Sequence, residues 1–253
     1  MTVVLLLCAF SFLAGFIDAI VGGGGLVQLP ALLILLPGQS IPTLFGTNKF
    51  ASMAGTTMAT AQYARRARLD WHILGPAAGT AFAFAILGSK MVTLINPALL
   101  RPVILGLLLL VAAYVFVFKD LGLVHAPKHP RHKARWLAIL TGAAIGFYDG
   151  FFGPGTGSFL IIIFVGVFGF DFLFASASAK VVNLATNLAS VIYFASTSHI
   201  LYHAALPMAA CNILGAVTGT RLAILKGSKF VRVFFLLVVL ALIAKLARDL
   251  VAG

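Results

Sequence analysis

Two aspartates and two lysines stand inside segments of this chain that are otherwise apolar, and both kinds recur at one spacing: Asp18 with Asp149 and Lys49 with Lys180, 131 residues apart in each case. A carboxylate in such a place can carry a proton or accept hydrogen bonds from exposed amides, and an ammonium there can hold or gate an anion. Each aspartate precedes by one turn a helix-breaking run, Gly22 to Gly25 in the first case and Gly153-Pro154-Gly155-Thr156-Gly157 in the second. Where such a run ends one helix and begins another, the new helix offers unpaired N–H groups and the positive end of its dipole. That combination attracts anions.

A charge at membrane depth costs at least about 2.5–3.5 kcal/mol on insertion scales, so a purely structural lysine needs a partner or a route for its ammonium to the surface. No acidic residue near Lys49 or Lys180 in sequence offers to pair them. Anion contact or gating is the reading adopted, with structural anchoring as its alternative. Asn48, Asn183 and Asn187, with Thr47, Thr56 and Ser178, supply neutral donors on the same segments, although interhelical hydrogen bonding would use any of them equally well. Gln28 lies one turn into the short segment after the first glycines. The expected anion contacts are therefore Gly22, Gly23, Gly24, Gly25, Gln28, Asn48, Lys49, Gly153, Gly155, Thr156, Gly157, Lys180, Asn183 and Asn187. Asp18 and Asp149 are coupling or structural groups, and their retention in both copies favours the structural use. His72 and His203 each precede a proline by one turn and read as packing or capping residues. Cys8 and Cys211 lie in apolar segments, where cysteine is usually a small buried hydrophobe; neither a disulfide, a metal site nor a cofactor is expected.

The elements that must position these residues are membrane helices. Hydrophobic residues make up 61% of the 253 and charged residues 9%, against roughly 25% charged in soluble domains. Apolar stretches near the length of about 20 residues that spans a bilayer fall at 2–21, 43–63, 72–94, 102–118, 136–152, 172–197, 204–222 and 233–250. Shorter ones at 26–37 and 156–169 are too short to cross. The formal charge of +12 would point to nucleic acid in a soluble protein; here the basic residues collect in short loops, and nucleic-acid binding is not expected.

Shifting the chain by 131 positions superposes 15–101 on 146–232 without a gap, matching Gly15/Gly146, Asp18/Asp149, Lys49/Lys180, His72/His203, Pro76/Pro207 and Arg101/Arg232. Such matches of polar and special residues mark a tandem duplication. Each half holds an odd number of crossings, whichever way its broken or re-entrant pair runs, so the second copy must sit inverted. The expected fold is an all-α polytopic membrane protein of about 4+4 spans: repeat 1 at 1–124, a basic cytoplasmic linker at 125–135, and an inverted repeat 2 at 136–253. Twelve basic residues gather on one face (Arg65, Arg66, Arg68, five in 119–135, Arg221, Lys226, Lys229, Arg232), against Lys90, Arg101, Lys245 and Arg248 on the other. The first face is then cytoplasmic and both termini are outside.

Inverted repeats with discontinuous helices are characteristic of secondary transporters, with substrate near the midplane. The ordered motifs GFIDAIVGGGGLVQLPALL, GTNKF, GFYDGFFGPGTGSFLI, ASASAKVVNLATN and GAVTGTRLA resemble those of the sulfite exporter TauE/SafE family, the four-toluene-sulfonate-uptake permeases, over nearly the whole chain. That resemblance implies an ATP-independent permease of the bacterial inner membrane for sulfite, related sulfur oxyanions or organosulfonates, some members exporting and others importing. Coupling to protons or sodium is expected, and homodimerisation is left open. Departures between the copies (Pro154 for Gly23, Thr156 for Gly25, Ala179 for Asn48) make the two half-sites unequal. A passive anion channel is the nearest rival. An intramembrane enzyme using Ser158, with His199 or His203 as base, is disfavoured because the repeat equivalent of Ser158 is Val27.

Overall fold

The computed structural model describes residues 2–66, 69–95 and 128–252, with the side chains of Ser228, Arg232 and 235–252 excepted. The span expected at 102–118, Arg68, Arg101, Lys119, most of the linker's first residues, and the side chains of Lys245 and Arg248 lie outside that description. Among the described residues every regular element is a helix: α1 (Thr2–Val21), α2 (Gly25–Leu35), α3 (Ile41–Ala64), α4 (Trp71–Leu94), α5 (Arg131–Phe151), α6 (Thr156–Gly166), α7 (Phe172–Ser196) and α8 (Tyr202–Ala252). The protein is an all-α, polytopic membrane protein. A shift of 131 carries α2 onto α6 residue for residue and starts α3 on α7 and α4 on α8.

Local chemistry explains these limits. Ser40, Asp70 and Asp171 precede α3, α4 and α7 and each accepts a backbone N–H with its side-chain oxygen, satisfying one of the donors a helix start leaves unpaired. α5 starts at Arg131, inside the stretch assigned to the linker. Lys128, just ahead of it, donates its ammonium to the Gly166 carbonyl, a cation placed on the negative end of α6. α8 is interrupted at Gly227, where φ is 71°.

α2 folds back along α1. Gly24 sits against Ala14 and Asp18, Gln28 is bridged through Asn212 to Ser11, and Leu32 shares a cluster with Leu7. At 11 residues, α2 and α6 each reach only about 16 Å. The short segments are thus the returning arms of helical hairpins.

Contacts between the longer helices set their directions. Ser11 and Ala19 of α1 meet Met208 and Ala216 of α8, and Thr47 and Gly55 of α3 meet Leu201 and Asn212, so α1, α3 and α8 run one way. Gly142, Gly146 and Gly150 of α5 abut the carbonyls of Ala77, Ala81 and Ala85 on α4, while Ser89 and Thr93 of α4 reach Ser190 and Tyr193 of α7; these three helices also run together. α3 and α7 run oppositely, with Gly46 on Phe194, Thr56 on Asn187 and Thr60 on Lys180. The first helix of each half therefore packs on a later helix of the other, α1 on α8 and α5 on α4.

Apolar composition alone marks three of the described helices as long and greasy enough to cross: Thr2–Val21, Trp71–Leu94 and Tyr202–Gly227. α3 and α7 are long enough but more polar, because they are wrapped by protein rather than lipid: sixteen of the 25 residues of α7 are buried. With no hydrophobic drive between helices inside a bilayer, close backbone approach through small residues supplies the packing. Gly146→Leu on the α4–α5 seam should cost on the order of 1–3 kcal/mol by overpacking. Gly75→Leu, where a Cβ meets nothing within 4 Å, should cost far less. Thermal unfolding of the two variants in detergent checks the difference.

Candidate functional site

The two glycine hinges meet. Gly22, at φ 77°, closes α1 by donating its N–H to the Asp18 carbonyl at 2.8 Å, a left-handed ending that suits glycine. Its backbone lies against that of Gly157, so a Cβ on either would overlap the other's main chain. Gly25 faces Pro154 in the same way.

Every carbonyl at the end of α1 has a partner from another element, as helix ends away from water require. Ala19 accepts from the Tyr63 hydroxyl at 2.9 Å, Ile20 from Ser176 at 2.8 Å and Val21 from Ser158 at 2.8 Å. The Gly22 carbonyl accepts the Ser158 N–H at 3.2 Å. At the second hinge Gly153, at φ 89°, donates to the Tyr148 carbonyl and accepts from the Thr156 N–H and hydroxyl. The Tyr148 hydroxyl donates to the Pro154 carbonyl at 2.7 Å. Two of these hydroxyl donors, Ser158 and Ser176, come from helices of the opposite half.

The lysines are paired after all, and across the halves. The Lys180 ammonium donates to Asp18 Oδ2 at 2.7 Å, and Lys49 lies 2.7 Å from Asp149 Oδ2, an ion contact without hydrogen-bond alignment. No partner was found by reading along the sequence because each partner belongs to the other copy. Nor does Lys49 reach the surface: it is 4% exposed and Lys180 is fully buried. Asp18 also accepts the Gly24 N–H, at 3.4 Å, so one carboxylate ties a hinge amide to a remote ammonium.

Between the hinges lies a cavity of about 20 Å³, room for about one water. From the hinges it is lined by Gly22, Gly25, Gly153 and Gly157, and from α1 and α5 by Asp18 and Asp149. Asn48, Lys49 and Ser52 of α3 and Asn183 and Asn187 of α7 complete it. Gly25 and Gly157 belong to the first turns of α2 and α6, where the neighbouring Leu26, Val27, Thr156 and Ser158 N–H groups are taken by the Gly23, Gly24, Gly153 and Gly22 carbonyls. Asn48 buries its side-chain oxygen without a partner, and Asn187 donates to Thr56 at 3.4 Å.

The remaining expected contacts stand back from this space. Gln28 is bonded to Asn212, Gly24 faces Ala14, and Gly23 and Gly155 shape the turns. Thr156 bonds within its own hinge, and Lys180 lies behind Asp18. Thr47 caps toward Leu201 and Ser178 has no partner. His72 and His203 are exposed in the first turns of α4 and α8. Ser52 was not singled out from the sequence, although the 131-residue register places it opposite Asn183. Tyr63 and Phe194 form another such pair, both buried, and they close the C-terminal parts of the oppositely directed α3 and α7.

A family model for the sulfite exporter TauE/SafE matches residues 7–246. The chain belongs to the TauE/SafE family. It is 36% identical over 241 residues to the "Probable membrane transporter protein ORF9" of a Sinorhizobium species, covering 94% of this chain and 90% of that protein. It is 34% identical to a "Probable membrane transporter protein" of Haemophilus influenzae, covering 96% and 94%, and 32% identical to YfcA of Escherichia coli, covering 94% and 87%. No solved structure matches it. As a TauE/SafE protein it is a multi-pass membrane transporter.

Removing one partner of a buried ion pair leaves a stranded charge and costs about 3–5 kcal/mol, whereas removing both is far milder. Lys49→Gln and Asp149→Asn singly should each destabilise by that order, and the double variant should recover most of the loss. Thermal unfolding of the three proteins measures the coupling.

Proposed function

We propose that this chain is a secondary transporter of a small anion, most fittingly sulfite or a related sulfur oxyanion or organosulfonate, working by alternating access where the two glycine hinges meet. The observation that carries the reading is the meeting itself: two hinge backbones in direct contact, with Gly25 and Gly157 at the starts of α2 and α6 and the Lys49 side chain lining one cavity. Irregular backbone at membrane depth is tolerated where it is buried in protein or lines a cavity. The opposite directions of α3 and α7, which are repeat equivalents, support an inverted arrangement of the halves in the inner membrane, with the arginine-rich ends cytoplasmic.

The ion pairs give the coupling a physical form. With both carboxylates charged the cluster is neutral, two ammonium groups against two carboxylates, and an incoming anion must compete with Asp149 for Lys49. A proton on Asp149 removes that competition and leaves Lys49 and the helix ends to hold the anion. Anion and proton then bind cooperatively at one place, which is what coupled movement requires. A cavity near one water in volume must widen to admit a four-atom oxyanion, so binding and rearrangement of the hinges go together. Rocking of one half against the other would move the ends at Tyr63 and Phe194 in opposite senses.

The Ser158 hydroxyl is engaged with the Val21 carbonyl, so the residue weighed as a nucleophile serves the hinge. A carrier is distinguished from a channel by saturable counterflow of labelled sulfite in proteoliposomes, with taurine, sulfate and thiosulfate as competitors. Wild-type protein should show counterflow, faster under an inwardly directed proton gradient. The double variant Lys49→Gln/Asp149→Asn should lose at least about tenfold in rate, about 1.4 kcal/mol in barrier, while remaining folded. Undiminished counterflow in that variant would remove the pair from the substrate path.

A further inference from the structure

A second cavity, of about 550 Å³, lies between the C-terminal end of α3 and α8. Arg65, Arg66 and Arg221 stand along it, all exposed, and none has an ion-pair partner among the described residues. Gln62 beside them buries its amide oxygen without a hydrogen-bond partner; a half-turn of the same amide presents its NH2 instead. Below the arginines the lining is apolar, and Met58 and Leu225 are 38% and 81% exposed, a surface that lipid would cover.

This groove is not the mouth of the hinge cavity. At 100° per residue its residues on α3 are centred about 100° around the helix from Asn48, Lys49 and Ser52. Tyr63, which lies on the hinge side of α3, is held to the Ala19 carbonyl. Nor is the groove a general product of the duplication. In the other copy Gln62, Arg65 and Arg66 become Tyr193, Ser196 and Thr197, Arg221 becomes Lys90 and Ile224 becomes Thr93. There the Tyr193 and Thr93 hydroxyls join at 2.7 Å across the equivalent seam. One seam carries three arginines and is open, the other keeps a single lysine and is tied shut.

We propose that the groove binds an anionic phospholipid, its phosphodiester held by Arg65, Arg66 and Arg221 and an acyl chain lying over Met58, Val217 and Leu225. Guanidinium groups pair with phosphate oxygens through two parallel hydrogen bonds, and basic pockets between helix ends at a membrane interface select anionic head groups. Zwitterionic lipid offers the same phosphodiester but adds a cation that the three arginines repel, so the groove would hold it more weakly.

The test puts a fluorescent reporter at the apolar end. Leu225→Trp is made in a chain whose own tryptophans are replaced (Trp71→Phe, Trp136→Phe), reconstituted in phosphatidylcholine vesicles and titrated with dibrominated phosphatidylglycerol or dibrominated phosphatidylcholine. Quenching by the anionic lipid should saturate at a mole fraction at least about tenfold lower, since each arginine near the surface contributes about 1 kcal/mol. Arg65→Gln/Arg66→Gln/Arg221→Gln should erase that preference, and Lys90→Gln should leave it intact. Equal quenching by the two lipids with the arginines in place would overturn the proposal, independently of how the triple variant folds. So would loss of the preference on adding millimolar inorganic phosphate or sulfite at constant ionic strength, which would assign the arginines to a free anion.

Discussion

Lys49 and Lys180 sit where water is scarce, and each is neutralised by a carboxylate contributed by the other half of the chain. An isolated ammonium at that depth would carry a desolvation cost of several kcal/mol, so the lysines tolerate burial only because the halves are assembled. Assembly in turn depends on them: pulling the halves apart would strand two charges of each sign. Packing, hinge geometry and the candidate anion site all inherit their positions from this exchange of charges. Asp18 shows the dependence most directly, since one of its oxygens holds Lys180 while the other accepts the Gly24 amide at the tip of the first hairpin.

The hinges extend the same logic to the backbone. A helix that stops inside the protein exposes carbonyls at one end and amides at the next beginning, and both must be answered without bulk water. At α1 the carbonyls are answered by Tyr63, Ser158 and Ser176. On the other side of the turn Gly25 and Gly157, at the starts of α2 and α6, line the cavity. The carbonyls ending α1 are thus consumed by hydroxyls, and the charges lining the space between the halves are those of Lys49, Asp18 and Asp149. Glycine makes this possible at Gly22 and Gly157, where the main chains touch and no Cβ would fit.

Much of this was legible in the residues. The 131-residue register carried the duplication, and with it the correspondence of α2 with α6 and of α3 with α7. Asn48 and Asn187 were singled out as neutral donors by their place on the lysine-bearing segments, not by the alignment, which sets Ala179 and Thr56 opposite them. The partners of the lysines were not legible, because pairing across copies joins positions 100 and 162 residues apart, and no local pattern encodes which copy faces which. Gln28 illustrates the opposite limit: its position one turn into a broken helix pointed to the site, yet a neighbouring helix supplies Asn212 and draws it away. The direction of the short segments was also hidden, since composition measures length and greasiness but not whether a chain turns back.

Duplication makes two equal half-sites, but a single anion cannot use both equally, and the side chains have already diverged in that sense. Lys49 lines the cavity while its counterpart Lys180 lies behind Asp18. Asn48 faces the same space with an unpartnered oxygen, where the second copy has only Ala179. On α7 the balance reverses, with Asn183 and Asn187 standing opposite Ser52 and Thr56. The first copy therefore brings the ammonium that lines the space and the second brings two amides, so the two are complementary rather than redundant. Their shared register keeps the scaffold symmetric enough for the hinges to meet, and their departures from it make the two sides of the space between them chemically different.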